Sequence, residues 1–374
     1  MPTEKSWNAI ASSSKRESTR SPRPSTRPPV RTADRVRTWV PRWWAGEGGV
    51  AGDALSLLLA PAEFAFRGSL AVRNRLFDWG VLGSEAAPIP VISVGNIAVG
   101  GTGKTPIAAW LAGRLQAGGR SPAVVSRGYG RDEIAVHEEL NPSVPVFVAA
   151  RRARAVAAAA RAGSDCAVLD DGFQHRSLRR DFDIVLIAAE HWGAPQRLLP
   201  RGPWRESLAS LRRADFVLVT RKSADAACGN VVADRLVSRG LAEQVGVAHV
   251  ATTQLVPLDS PKAPADPGDF LRGRSILVVT AIADPGPLLA EVRRAGAEAE
   301  FLGYPDHYEF APADVRRIRA RAAGRPVVVT RKEAVKLRRL SDLPPVYVLD
   351  QEVRMERGEQ ELEAALRRAL AAQE

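Results

Sequence analysis
Val91 to Ala112 reads VISVGNIAVGGTGKTPIAAWLA. A β-branched apolar run, Val91–Val94, passes into a loop containing Gly95, Asn96, Gly100, Gly101 and Gly103, and a helix-forming stretch follows from Lys104. Strand, glycine-rich loop and helix in that order let backbone N–H groups close around phosphate oxygens. Glycine allows the close approach because it has no Cβ, and the helix N-terminus adds its dipole. The common spacing G-x-x-x-x-G-K-[ST] asks for glycine where Ala98 stands. Gly100 and Gly101 replace the missing freedom, so the loop reads as rebuilt for the same purpose. Gly100, Gly101, Thr102, Gly103, Lys104, Thr105 and Pro106 are therefore the candidate nucleotide-binding residues. Lys104 would reach the β- and γ-phosphates, the Thr105 hydroxyl would ligate Mg²⁺, and Pro106 is tolerated in a first helical turn.

A nucleotide site of this kind needs an acid at the end of a neighbouring apolar strand. CAVLDDGFQH, Cys166 to His175, offers Asp170 and Asp171 directly after Ala167-Val168-Leu169. A carboxylate there can hold Mg²⁺ or its waters opposite Thr105.

Working outward, short β-branched runs alternate with Ala/Arg/Leu-rich helical stretches from Pro90 onward, the pattern of a parallel sheet with crossover helices. Strands are expected at Val91–Val94, Ala123–Ser126, Val144–Val148, Ala167–Leu169, Ile184–Ile187 and Phe216–Thr220. A Pro/Asp-rich passage, VPLDSPKAPADPGD, then reads as a linker, and alternation resumes to a final helix at Glu359–Ala371. The expected organisation is a basic arm (1–46), an amphipathic segment (47–83), a nucleotide-binding α/β core (84–255), a linker (256–274) and a smaller α/β domain (275–374). VLVTRK (Val217–Lys222) and VVVTRK (Val327–Lys332) echo each other as two similar strand ends.

The net charge of +11 on 374 residues invites a nucleic-acid reading, but its placement argues against one. Residues 1–42 hold ten basic groups against three acids, +7 of the total, in a Ser/Pro/Thr-rich segment too poor in apolar surface to fold. No nucleic-acid partner is expected. Cys166 and Cys228 make no disulfide framework and suit a reducing cytoplasm. No uninterrupted run of eighteen apolar residues suggests a helix crossing a bilayer. Asp53–Trp79 nevertheless carries Leu55, Leu58, Leu59, Ala62, Phe66 and Leu70 at helical spacing, with Arg67, Arg73, Arg75 and a kink or a restart of the helix expected at Pro61. Such a segment can lie in a membrane interface or pack on the protein's own core.

Several further motifs occur in a telling order: SRGYG (Ser126–Gly130), DDGFQH, LLPRGPWRES (Leu198–Ser207), PDHY (Pro305–Tyr308) and TRKEAVKL (Thr330–Leu337). With GN-x₃-GG-x-GKTP they resemble the tetraacyldisaccharide 4′-kinase family, over roughly residues 53–336. That resemblance implies a P-loop α/β core with a smaller C-terminal domain and an N-terminal membrane-associated helix. It also implies ATP and Mg²⁺ as cofactors, and as substrate a tetraacyldisaccharide 1-phosphate in the membrane, phosphorylated at the 4′-hydroxyl to lipid IVA. A monomer on the cytoplasmic face of the inner membrane is expected. The resemblance further implies that Asp132, in the Asp132-Glu133 pair after SRGYG, is the base and His307 its partner, although the loop usual before that pair is missing here. Gln174, His175, Arg201, Arg205 and Glu206 would line the substrate side. Arg151, Arg152 and Arg154 could meet the substrate's 1-phosphate or form a solvated helix start; His137, His191 and His249 show no metal-ligand spacing. The rival class is a P-loop switch or metallochaperone-like NTPase, which shares the loop and the Asp pair but leaves PDHY and the amphipathic segment unexplained.

Overall fold
A computed structural model describes residues 39–40, 42–128, 130–260, 264–282 and 285–371. Most of the expected basic arm lies outside them. Residues 43–46, assigned to that arm, fold: the Trp43–Glu47 turn buries Trp43, whose Nε1 donates to the Gly52 carbonyl at 2.8 Å.

Helix α1 (Gly49–Asp78) continues through Pro61, where a kink or a restart was expected; it does not restart there. The chain then builds β1 (Val91–Asn96), α2 (Lys104–Ala117), β2 (Pro122–Ser126), α3 (Arg131–Leu140), β3 (Val146–Val148), α4 (Arg152–Arg161), β4 (Cys166–Asp170), β5 (Phe182–Ala188), β6 (Phe216–Arg221), α5 (Ala226–Ser238) and β7 (Val245–Pro257). The second lobe adds α6 (Pro267–Leu271), β8 (Ser275–Thr280), α7 (Gly286–Arg294), β9 (Glu298–Gly303), α8 (Pro312–Ala322), β10 (Val327–Thr330), α9 (Arg331–Leu337), β11 (Val346–Arg357) and α10 (Glu359–Ala371).

Both lobes share one eleven-stranded sheet, ordered β3-β2-β4-β1-β5-β6-β7-β11-β10-β8-β9. Its pairings are parallel except between β7 and β11, which run antiparallel and join the lobes. β1 lies between β4 and β5 and is buried along its whole length, including the polar Ser93 and Asn96. Ile92 and Val94 pack with Ile107, Ala108 and Leu111 of α2, while Val91 faces Val156 of α4. α10, grouped by sequence with the second domain, packs instead on the first: Leu362, Ala365, Leu366 and Leu370 complete the core over Ile92 and Val94. The physical reason is β11, which runs past the second lobe to Arg357 and delivers the helix back across the joint.

Candidate active site
The parallel register fixes the site. Val94 pairs with Asp170 at the carboxyl ends of β1 and β4, so the glycine loop and the acidic pair leave the sheet side by side. Crevices at such strand ends, where neighbouring strands turn to opposite sides, are the usual ligand positions of open α/β sheets. Here the crevice is a cavity of about 870 Å³ between the lobes. It is lined by Gly100 to Pro106, Asp170, Asp171, Gln174, His175 and Arg205 from the first lobe, and by Asp306, His307, Thr330, Arg331 and Lys332 from the second. The two echoing strand ends, Lys222 after β6 and Thr330–Lys332 after β10, face it from opposite sides.

Gly103 enters α2 with φ +85°, a left-handed conformation that favours glycine. Asn96 Nδ2 donates to Thr102 Oγ1 at 2.9 Å, and Thr220 Oγ1 donates to the Thr102 carbonyl at 2.9 Å, fixing the loop from β1 and β6. Lys104 Nζ lies 3.7 Å from Asp171 Oδ1, and Arg205 donates to the same carboxylate at 3.0 Å.

Asp170 is buried, with His137 Nε2 3.0 Å from its Oδ2. Burial opposes its ionisation, but the His137 hydrogen bond and the charges of Lys104 and Lys332 outweigh burial and hold the carboxyl below its usual range. His137, left without a role by its sequence context, is thus the residue that orients the buried acid. No spacing rule could have found it, because the fold brings α3 against the end of β4 and so joins positions 33 residues apart.

Asp132 begins α3 and His307 sits in the turn after β9, yet the two meet: His307 Nδ1 is 3.0 Å from Asp132 Oδ1 and 3.1 Å from Oδ2. Asp132 is sealed, 3% exposed, while His307 lines the cavity. His307 adopts a left-handed backbone (φ +57°), as does Asp171 (φ +60°); such strain gathers at functional sites. Gly130 makes the meeting possible, since a Cβ there would strike Asp132 Oδ1 and come within 2.6 Å of His307 Nδ1. Burial pushes the Asp132 carboxyl up, but hydrogen bonds from Lys336 and His307 reverse this and leave it below the ordinary value.

The remaining expected residues divide. Gln174 lines the cavity and anchors the turn by donating to the Asn96 carbonyl at 2.7 Å. His175 also lines it, pushed down to about 4 by burial and by Arg152, Arg180, Arg127 and Arg73. Arg152 is buried and donates to the Asp171 carbonyl at 3.0 Å, whereas Arg151 and Arg154 are exposed. Arg201 and Glu206 do not line the cavity. Arg201 donates to Glu63 of α1 at 3.1 Å, and buried Glu206 pairs with Arg213, so both hold the proline-rich loop to its surroundings.

Outside the cavity, α1 leaves Leu57, Leu58, Phe64 and Val72 exposed. Its length and composition suffice to cross a membrane despite the lack of an uninterrupted apolar run. Glu63, buried on its inner side, accepts the Leu198 N–H at 2.8 Å and docks the helix on the fold.

A family model described as tetraacyldisaccharide-1-P 4′-kinase matches residues 55–371. The chain is 38% identical over 373 residues to the tetraacyldisaccharide 4′-kinase of Anaeromyxobacter sp. (strain Fw109-5), covering 89% of this chain and 96% of that protein. Against the protein of the same name from Halorhodospira halophila it is 33% identical over 333 residues, covering 84% and 92%. The crystal structure of LpxK from Aquifex aeolicus in complex with ATP matches with a TM-score of 0.64 at 26% identity, over 84% of this chain and 99% of that one.

Proposed function
The chain belongs to the tetraacyldisaccharide-1-P 4′-kinase family, and from that membership we propose that it transfers the γ-phosphoryl group of ATP to the 4′-hydroxyl of a tetraacyldisaccharide 1-phosphate. The observation that carries this reading is the Asp132–His307 contact, formed across the lobes at a cavity whose other wall is the phosphate loop. A switch NTPase activates water and has no need of a proton acceptor brought from a second lobe.

The loop amides from Gly100 to Thr105 and the Lys104 ammonium hold the triphosphate and offset the charge that develops on the transferred group. The Thr105 hydroxyl and the Asp170 and Asp171 carboxylates are oxygen donors, which suit Mg²⁺. Among the described residues they form no closed cage, so phosphate oxygens and water would fill the remaining positions. Bound there, Mg²⁺ would neutralise phosphate charge. The Asp132–His307 pair takes up the 4′-hydroxyl proton as that oxygen bonds to phosphorus and the bond to the β-phosphate oxygen breaks, leaving ADP. Arg205 and Arg152 bring positive charge to the same wall.

α1 supplies the membrane contact in this reading, its exposed Leu57, Leu58 and Phe64 entering the interface of the cytoplasmic leaflet where ATP is available. The test is ³²P transfer from γ-labelled ATP to detergent-dispersed lipid substrate. Label moving to the lipid is the expected result; label released only as inorganic phosphate, whether or not lipid is present, would refute it.

A further inference from the structure
TRKEAVKL places Lys336 in the last turn of α9, nearly sealed from solvent. Its Nζ stands 3.0 Å from Asp132 Oδ2 and donates to the Tyr308 carbonyl at 3.0 Å. A single ammonium therefore grips both segments that carry the proton-accepting pair, the start of α3 and the turn holding His307. Side-chain exposures of 6% and 2% for Lys336 and Asp132 set this contact apart from a solvated surface pair. Taking two charges out of water is costly, and is sustained only when geometry and further hydrogen bonds compensate. Both conditions hold: Asp132 also has His307, and Lys336 also has a backbone carbonyl.

We infer that Lys336 is a positioning residue for phosphoryl transfer, holding the Asp132 carboxylate turned to His307 Nδ1 and keeping the two lobes' halves of the pair in register. It acts through Asp132 and His307, and the inference rests on their assignment as the proton acceptor. Lys336 does not line the cavity, so removing it leaves the nucleotide contacts in place.

The charged and titratable groups gathered around Asp132 are His307 and Asp306 in the turn before α8, Lys336 and Lys332 on α9, and Glu133 on its own helix. Without the Lys336 ammonium, the effect of burial on Asp132 meets less opposition and its pKa rises. The acid limb of kcat then moves to higher pH.

The experiment compares Lys336→Met, Lys336→Ala and Asp132→Asn with the intact protein, using detergent-dispersed lipid, Mg²⁺ and ATP. Lys336→Met is expected to lower kcat by about 10–100-fold, the worth of one charge-assisted hydrogen bond. KM for ATP should stay essentially unchanged, with the acid limb displaced upward. Ethylammonium added to Lys336→Ala should restore part of the lost rate in proportion to its concentration. ATP binding by each variant separates misfolding from a lost role, and if the Met variant fails to bind, the amine-supplemented Ala variant decides. Wild-type kcat and an unmoved acid limb in Lys336→Met, or no response of Lys336→Ala to ethylammonium, would overturn the inference. Near-normal turnover by Asp132→Asn would instead bring down the assignment of the pair itself.

Discussion
His175 carries a pH signature that sequence alone does not reveal. Burial, aided by Arg152, Arg180, Arg127 and Arg73, pushes its pKa down to about 4, so at neutral pH it meets the cavity as an uncharged hydrogen-bonding group. The unfolded chain binds a proton there near pH 6.5, which the folded protein refuses until about pH 4. Stability linked to this residue is therefore full above pH 6.5 and declines as pH falls from there toward 4. Denaturant unfolding across this window should show a shallower fall with decreasing pH in His175→Gln than in the intact chain; identical slopes would contradict the assignment. The loop glycines, Lys104, Thr105 and the Asp pair were legible as residues because their chemistry follows from local order along the chain. His137 and Lys336 were not. Their partners lie 33 and 204 residues away in sequence and meet them only through the contact of α3 with the end of β4 and of α9 with α3.

Elements were legible where apolar runs were continuous, as at Ala167–Leu169 of β4 and Ile184–Ile187 of β5, and less so where a strand mixes polarity. β7 (VGVAHVATTQLVP) breaks its apolar character with His249 and the polar run Thr252–Gln254, and it was absent from the expected strands. At Pro61 the helix does not restart. α1 runs through it, and in a helix standing largely clear of the core a lost backbone hydrogen bond can be met by solvent. The exposed face of that helix carries its own test. Burying one leucine is worth about 1.5–3 kcal/mol, so Leu57→Glu with Leu58→Glu should reduce partition onto anionic vesicles at least tenfold. Co-sedimentation measures it, and turnover on detergent-dispersed substrate should fall much less. Unchanged vesicle binding would exclude this face as the membrane contact.

At the scale of the molecule, the sequence suggested two α/β domains divided by a linker at 256–274; the strands of both parts join in one sheet, and α6 (Pro267–Leu271) lies within the stretch read as linker. The β7–β11 pairing makes the joint, and α10 crosses back to the first lobe's core, where Arg114 of α2 pairs with Glu359. Across the cleft, α9 lies along α3. Lys332 is 3.3 Å from Glu133, Arg331 is 3.3 Å from Glu139, Arg338 reaches the same Glu139, and Lys336 holds Asp132. This row of opposite charges sets the lobes so that the phosphate loop and His307, with Asp132 sealed behind it, meet at one cavity. Such pairing depends on long-range geometry, and the alternation of acidic and basic residues along either helix does not disclose its partner.

We propose that the turn from Gly100 to Thr105 grips a triphosphate whose terminal group points at His307, which Asp132 backs. A crystal structure with a non-hydrolysable ATP analogue and Mg²⁺ measures this directly. The expected result is phosphate oxygens within hydrogen-bonding distance of the loop amides and Lys104, the cation between Thr105 and the Asp170–Asp171 pair, and the γ-phosphate on the side of His307. An analogue bound elsewhere, with these amides turned away from the cavity, would contradict it.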